Sequence, residues 1–144
     1  MDCVFCKIVR HEGPAYVIYE DEYVIAILDK YPISKGHTLV MPKRHYRVIT
    51  EMPDDELYHV IRVTKIVASA VIKALNAPGV RIVQNNGAEA GQVIFHVHFH
   101  VIPMTGHILG RHHLTDEEGR EVSSLLSRTI KEMLSNRQSF KTCP

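Results

Sequence analysis

Apolar and polar positions change period several times along the chain, and each change marks an element. From Cys3 to Arg10 the spacing predicts one or two helical turns, ended by His11-Glu12-Gly13-Pro14. Tyr16–Tyr19 and Tyr23–Leu28 are β-branched and aromatic runs on either side of the acidic turn Glu20-Asp21-Glu22, which predicts a hairpin. A loop with Pro32 and Gly36 leads to a third strand, His37–Pro42. Pro53-Asp54-Asp55-Glu56 then opens a long helix to Leu75, with acids where the free N–H groups and the dipole favour them. Its apolar face is read as Leu57, Val60, Ile61, Thr64, Ala68, Val71, Ile72 and Leu75, opposite Arg62, Lys65, Ser69 and Lys73. Asn76-Ala77-Pro78-Gly79 stops this helix, Val80–Gln84 is a fourth strand, and a polar loop from Asn85 to Gln92 follows. After a further loop, Gly106–His113, the capping pattern Thr115-Asp116-Glu117-Glu118 opens a last helix that buries Val122, Leu125, Leu126, Thr129, Ile130 and Met133. Strands, helix, strands and helix joined by hairpin-like links predict an α+β chain with an antiparallel sheet of about five strands.

One strand carries the chemistry. His96-Val97-His98-Phe99-His100-Val101-Ile102-Pro103 alternates imidazoles with apolar side chains. A strand sends alternate residues to opposite faces, so the three histidines share one face, spaced roughly 7 Å apart, while Val97, Phe99 and Val101 fill the other. Imidazole near neutral pH is a nucleophile, an acid or base, or a metal ligand. Three readings follow: a zinc site made of these histidines, a nucleophilic histidine assisted by its neighbours, or three core histidines with satisfied hydrogen bonds.

Composition narrows the setting. The 144 residues suit one domain with a true core, taken as 1–144, with its centre at about 1–105 and a helical extension at about 114–136. The net charge of +1 gives no field suited to nucleic acid or a membrane surface. No signal peptide or membrane span is read, and a cytoplasmic location is expected. Three cysteines make no disulfide framework. Cys3 and Cys6 form a C-x-x-C pair, which in a reducing compartment points to metal or redox chemistry.

The histidine row resembles the signature of the histidine triad (HIT) family of nucleotide hydrolases and transferases. Phe5-x-x-Ile8, Asp29 after a strand, Gly36-His37-Thr38-Leu39-Val40-Met41-Pro42-Lys43-Arg44-His45, and Asn85 with Gly91-Gln92 also fall in the family's order, over about the first 105 residues. The resemblance implies a HIT-like fold with one long central helix and a C-terminal helix. It also implies attack by His98 on the α-phosphate of purine (adenosine) nucleotide conjugates, such as dinucleoside polyphosphates or phosphoramidates, through a nucleotidyl-histidine. His100 and His37 would donate to the phosphate or leaving group. Phe5, Ile8, Ile27 and Leu39 would hold the base, and Asp29 both ribose hydroxyls. Asn85, Gly91 and the N–H groups of Gln92 and Val93 would hold the phosphate. Many members carry Ser or Thr where this chain has Val93, so phosphate contact there is expected from the backbone alone. A non-catalytic nucleotide sensor or protein-interaction module is the alternative.

The zinc-containing bacterial and archaeal-type branch of this family implies a closed, structural zinc site. Its ligands here would be Cys3, Cys6, His45 and His96. The resemblance also implies a homodimer, with a contact on the flank of the long helix at Tyr58, Val63, Ile66 and Val67 together with Val80–Gln84. Those side chains could instead lie beneath the terminal helix. His107, Arg111, His112 and His113 are read as a loop, with a place near the leaving group as the other possibility.

Overall fold

The expected hairpin forms as β1 (Val17–Glu20) and β2 (Val24–Leu28), and it seeds a sheet in this computed structural model, which describes residues 3–105 and 112–136. Before it comes α1 (Val4–Val9), and after it β3 (Thr38–Pro42), α2 (Asp54–Leu75), β4 (Gly79–Val83), β5 (Phe99–Met104) and α3 (Asp116–Ser135). The five strands are antiparallel in the order β1-β2-β3-β5-β4. The architecture is α+β.

Period-2 alternation divides the core between the two faces. Val24, Ala26, Leu28, Val40, Val97, Phe99 and Val101 point to the side covered by α2 and α3. Ile25, Ile27, Leu39 and Met41 point the other way and meet Phe5 and Ile8 of α1. Alone, a six-residue helix is too short to persist. Burying Phe5 and Ile8 contributes about 1.5–3 kcal/mol each and holds α1 on the sheet. The Cys3 thiol caps it, accepting from the Cys6 N–H.

Two expectations need correction. The buried face of α2 is Val60, Val63, Thr64, Ile66, Val67, Ala70 and Val71, whereas Ile61 and Ile72 are 47% and 46% exposed. The helix packs on the sheet and is flanked by α3, so its buried sector is wider than one stripe and rotated from the expected one. Val63, Ile66 and Val67 are therefore core residues and not a dimer flank, while Tyr58 is 67% exposed. The histidine strand also pairs later than expected. Its ladder with β3 starts at Phe99, and the Val97 N–H donates to the Tyr46 carbonyl instead. Alternation nevertheless continues back to His96, with Val97 in the helix-side core.

The cap of α3 forms as a full capping box between Thr115 and Glu118. Its first turn sits against β1: Tyr16 hydrogen-bonds Asp116, and its ring occupies the space a side chain at Gly119 would need. Gly36 turns the chain into β3 at φ +91, where a Cβ would also collide with Leu75. Leu126, fully buried on the core-facing side of α3, tests this packing. Leu126→Ala is expected to lower unfolding free energy by about 2–5 kcal/mol in chemical denaturation. A loss below about 0.5 kcal/mol, the range of surface substitutions, would contradict the placement of α3 on the core.

Candidate functional site

A cleft of about 560 Å³ opens between α1, the ends of β2 and β3, and the loop before the histidine row. The expected residues Phe5, Ile8, Ile27, Asp29, Leu39, Asn85, Gly91, Val93, His98 and His100 all line it. Phe5, Ile8, Ile27 and Leu39 form an apolar floor, each less than 7% exposed. Gly91 sits at φ +98, a conformation open to glycine, and brings the backbone to the cleft edge.

Gln92 behaves differently from the expectation. Its N–H, expected to face a phosphate, donates to the Gly87 carbonyl. Its side chain is buried, donating to the carbonyls of Arg47 and Ile94 and accepting from the Gly87 N–H. Gln92 braces the loop from behind. Val93, at 86% exposure, stands at the cleft rim.

Backbone partners fix which nitrogen of each histidine carries hydrogen. A carbonyl can only accept, so the 2.6 Å contact from His98 Nδ1 to the His96 carbonyl places the hydrogen on Nδ1. The lone pair of a neutral His98 is then on Nε2. Burial pushes the His98 pKa below its ordinary value of 6.5, against the opposing pull of the His96 carbonyl and Asp29. The Phe5 ring stands edge-on at 5.1 Å.

His37 is buried, and its Nδ1 accepts from the Ile33 N–H at 3.0 Å. Its hydrogen is therefore on Nε2, which donates to His100 Nδ1 at 2.9 Å and lies 3.5 Å from Asp29 Oδ2. In a neutral His100 the hydrogen is then on Nε2. The three groups form a chain from Asp29 through His37 to His100, so His37, expected to donate to the phosphate or leaving group, is buried behind the cleft and donates to His100 instead.

His96 turns away from this chain. Its Nε2 donates to the Pro42 carbonyl at 2.7 Å, leaving Nδ1 as the lone-pair nitrogen, and burial pushes its pKa down to about 4. That Nδ1 lies 3.6 Å from Cys3 Sγ, 3.6 Å from Cys6 Sγ and 3.2 Å from His45 Nδ1, which is itself 3.2 Å from Cys6 Sγ. Tetrahedral zinc with ordinary bond lengths sets donors roughly 3.3 Å apart for N···N and 3.6 Å for S···N. The His96 distances match that spacing, the Cys6–His45 distance is shorter, and all four donors lie within 4.8 Å of one another, so this group could hold a metal ion. Burial and the neighbouring Cys3 raise the Cys6 pKa, an effect that a divalent cation beside the sulfur reverses. The Pro42 carbonyl orients the His96 ring so that its Nδ1 faces the other three donors. Among the described residues His96, His98 and His100 make no common donor group, so the all-histidine zinc reading finds no support.

Several residues of the site carried no motif: Ile33 through its N–H, and Val4, Lys30, Tyr31 and Ile94 in the cleft wall; Pro42 lay within a motif, but the role of its carbonyl was not read from it. Adjacency to Asp29 was the only available signal for Lys30 and Tyr31. His112 and His113 are exposed and outside the cleft lining, while His107 and Arg111 lie outside the described residues.

A family model described as the HIT domain matches residues 10–107, and the chain belongs to the HIT family. It is 39% identical over 137 residues to the adenylylsulfatase HINT3 of Arabidopsis thaliana, covering 90% of this chain and 70% of that protein. The structure of a hypothetical histidine triad nucleotide-binding protein from Sulfolobus tokodaii matches with a TM-score of 0.89 at 36% identity, covering 96% of this chain and 99% of that one. A zinc-bound histidine triad family protein from Mycobacterium smegmatis matches with a TM-score of 0.84 at 37% identity, covering 94% and 97%. Among the described residues no helix is long and apolar enough to cross a membrane.

The hydrogen bond to the His96 carbonyl makes a spectroscopic prediction. By ¹⁵N NMR, His98 is expected in the Nδ1–H tautomer at pH 7 and still mostly neutral at pH 6.5, since its pKa lies below that value. An Nε2–H tautomer, or a midpoint above 6.5, would contradict the geometry.

Proposed function

We propose that the chain hydrolyses or transfers the nucleotidyl group of purine, chiefly adenosine, nucleotide conjugates such as dinucleoside polyphosphates or phosphoramidates. The observation that carries the reading is the pinned His98: its Nδ1–H is held by a carbonyl, and its Nε2 lone pair belongs to a neutral ring lining the cleft. Nε2 attacks the α-phosphorus, the bond from phosphorus to the leaving group breaks, and a nucleotidyl-histidine forms. His100 supplies its Nε2 hydrogen to the phosphoryl oxygens or the leaving group, and His37 orients it by donating to His100 Nδ1. Water then attacks the same phosphorus and the P–N bond breaks, which frees His98. The adenylylsulfatase activity in the name of the Arabidopsis relative supports an adenylyl group as the transferred unit.

The remaining roles follow from the cleft. Phe5, Ile8, Ile27 and Leu39 hold the base, Asp29 accepts from the ribose hydroxyls, and Asn85, Gly91 and Val93 border the phosphate, with the Val93 contact made by its backbone. Cys3, Cys6, His45 and His96 hold a structural zinc ion, supported by their spacing and by the zinc-bound relative. Bound there, the ion ties α1, and with it Phe5, to the strand that presents His98. This reading suits a reducing, cytoplasmic compartment where both cysteines stay reduced. The chain works as a homodimer, through the exposed Tyr58, Ile61 and Ile72 of α2 and Ile82 of the edge strand β4.

Three outcomes are expected. His98→Asn abolishes turnover of adenosine phosphoramidate while nucleotide affinity by calorimetry stays within about tenfold, roughly 1.4 kcal/mol. Full turnover by this variant contradicts the mechanism, and nucleotide binding without turnover in the unmodified chain supports a sensor instead. Elemental analysis finds one zinc per chain, and Cys6→Ser loses the metal and lowers the melting temperature. A Cys6→Ser protein that keeps its metal contradicts the ligand set. Light scattering at micromolar concentration returns a dimeric mass, and a monomeric mass excludes the dimer.

A further inference from the structure

We infer that His113 and Leu114, at the root of α3 and outside the family-matched residues 10–107, are positioning residues for the ribose subsite. The inference rests on the reading of Asp29 as the ribose acceptor.

Three contacts carry it. The Asp29 carboxylate is oriented locally, because its Oδ1 accepts from the Tyr31 N–H at 2.8 Å. The peptide that sets that N–H is Lys30–Tyr31, and the Lys30 carbonyl accepts from the Leu114 N–H at 2.7 Å. Beside it the Tyr31 ring, half exposed in the cleft wall, meets the His113 ring edge-on at 5.2 Å. The Lys30–Tyr31 peptide is thus held from outside the loop that contains it, at both its carbonyl and its following side chain.

The anchor behind these contacts is packed into the core. Leu114 is buried in the main core. Thr115 caps α3, and the first turn of α3 is seated on Tyr16 through Asp116 and Gly119. Tyr16 in turn accepts from the Leu28 N–H, the residue immediately before Asp29. The C-terminal helix therefore reaches the Asp29 segment from both sides, once through Tyr16 and once through Leu114.

If the 113–114 segment loosens, the Tyr31 N–H no longer fixes Oδ1, and the carboxylate loses the single orientation in which it accepts both hydroxyls of a cis-diol. A 2′-deoxy substrate offers one hydroxyl and has less to lose. The predicted effect is thus on selectivity, expressed in KM, and not on the chemistry at His98.

The test compares kcat/KM for adenosine 5′-phosphoramidate and its 2′-deoxy analogue. The unmodified chain is expected to favour the ribose form about tenfold to a hundredfold. His113→Ala and Leu114→Ala are expected to bring that ratio to within about threefold of unity, by raising KM for the ribose substrate with kcat within about twofold. His113→Phe, which keeps a ring edge against Tyr31, is expected to restore the ratio. Leu126→Ala loosens α3 away from the loop and should lower the melting temperature with the ratio intact. An unchanged ratio in His113→Ala, or an equal fall in Leu126→Ala, overturns the inference. Turnover of both substrates without ribose preference overturns it while leaving the hydrolase reading standing. No turnover of either substrate overturns both.

Discussion

A histidine has two ring nitrogens, and the site depends on which one the backbone holds. His96 Nε2 donates to the Pro42 carbonyl, His98 Nδ1 to the His96 carbonyl, and His37 Nδ1 accepts from the Ile33 N–H. Each bond leaves the other nitrogen to a different task. His96 turns its lone pair to two thiols and a second imidazole, His98 keeps an Nε2 lone pair beside the cleft, and His37 passes its hydrogen to His100. Identical side chains thus differ in role because their backbone partners differ.

These bonds exist because the strand geometry and the short helix α1 agree. Alternation sends Val97, Phe99 and Val101 into the helix-side core, which fixes the strand and puts its histidines on the α1 side. There, α1 contributes Cys3 and Cys6 to the donor cluster and Phe5 to both neighbouring rings: Phe5 stands edge-on to His96 at 5.9 Å and to His98 at 5.1 Å. His96 of the Cys/His donor cluster and the cleft-lining His98 are therefore two residues apart and share one packing partner. A displacement of α1 disturbs both.

The sheet and this division of faces were legible in the sequence because both rest on period 2, which a short strand shows without ambiguity. The Cys/His cluster and most of the cleft were legible as a resemblance, carried by His37, His45, Asp29 and the triad. The burial of α2 was not. Ile61 and Ile72 match helical spacing as well as Val63 and Val67 do, and only the position of α3 decides which are covered. Gln92 was misread for a similar reason: an amide before the triad looks suited to phosphate, but its N–H and side chain close the loop from Gly87 to Ile94. Lys30, Tyr31 and Leu114 left no trace in any motif, since their contribution runs through a backbone carbonyl, a ring edge and an N–H.

The central claim is that the bond pinning His98 Nδ1 makes Nε2 a nucleophile toward phosphorus. Rapid mixing with an adenosine phosphoramidate, an alkaline quench that preserves P–N bonds, and peptide mapping by mass spectrometry test it most directly. The account predicts an AMP adduct on His98, formed and lost at rates compatible with turnover. An adduct on another residue, or steady turnover in which no enzyme-bound AMP forms at any mixing time, would contradict it.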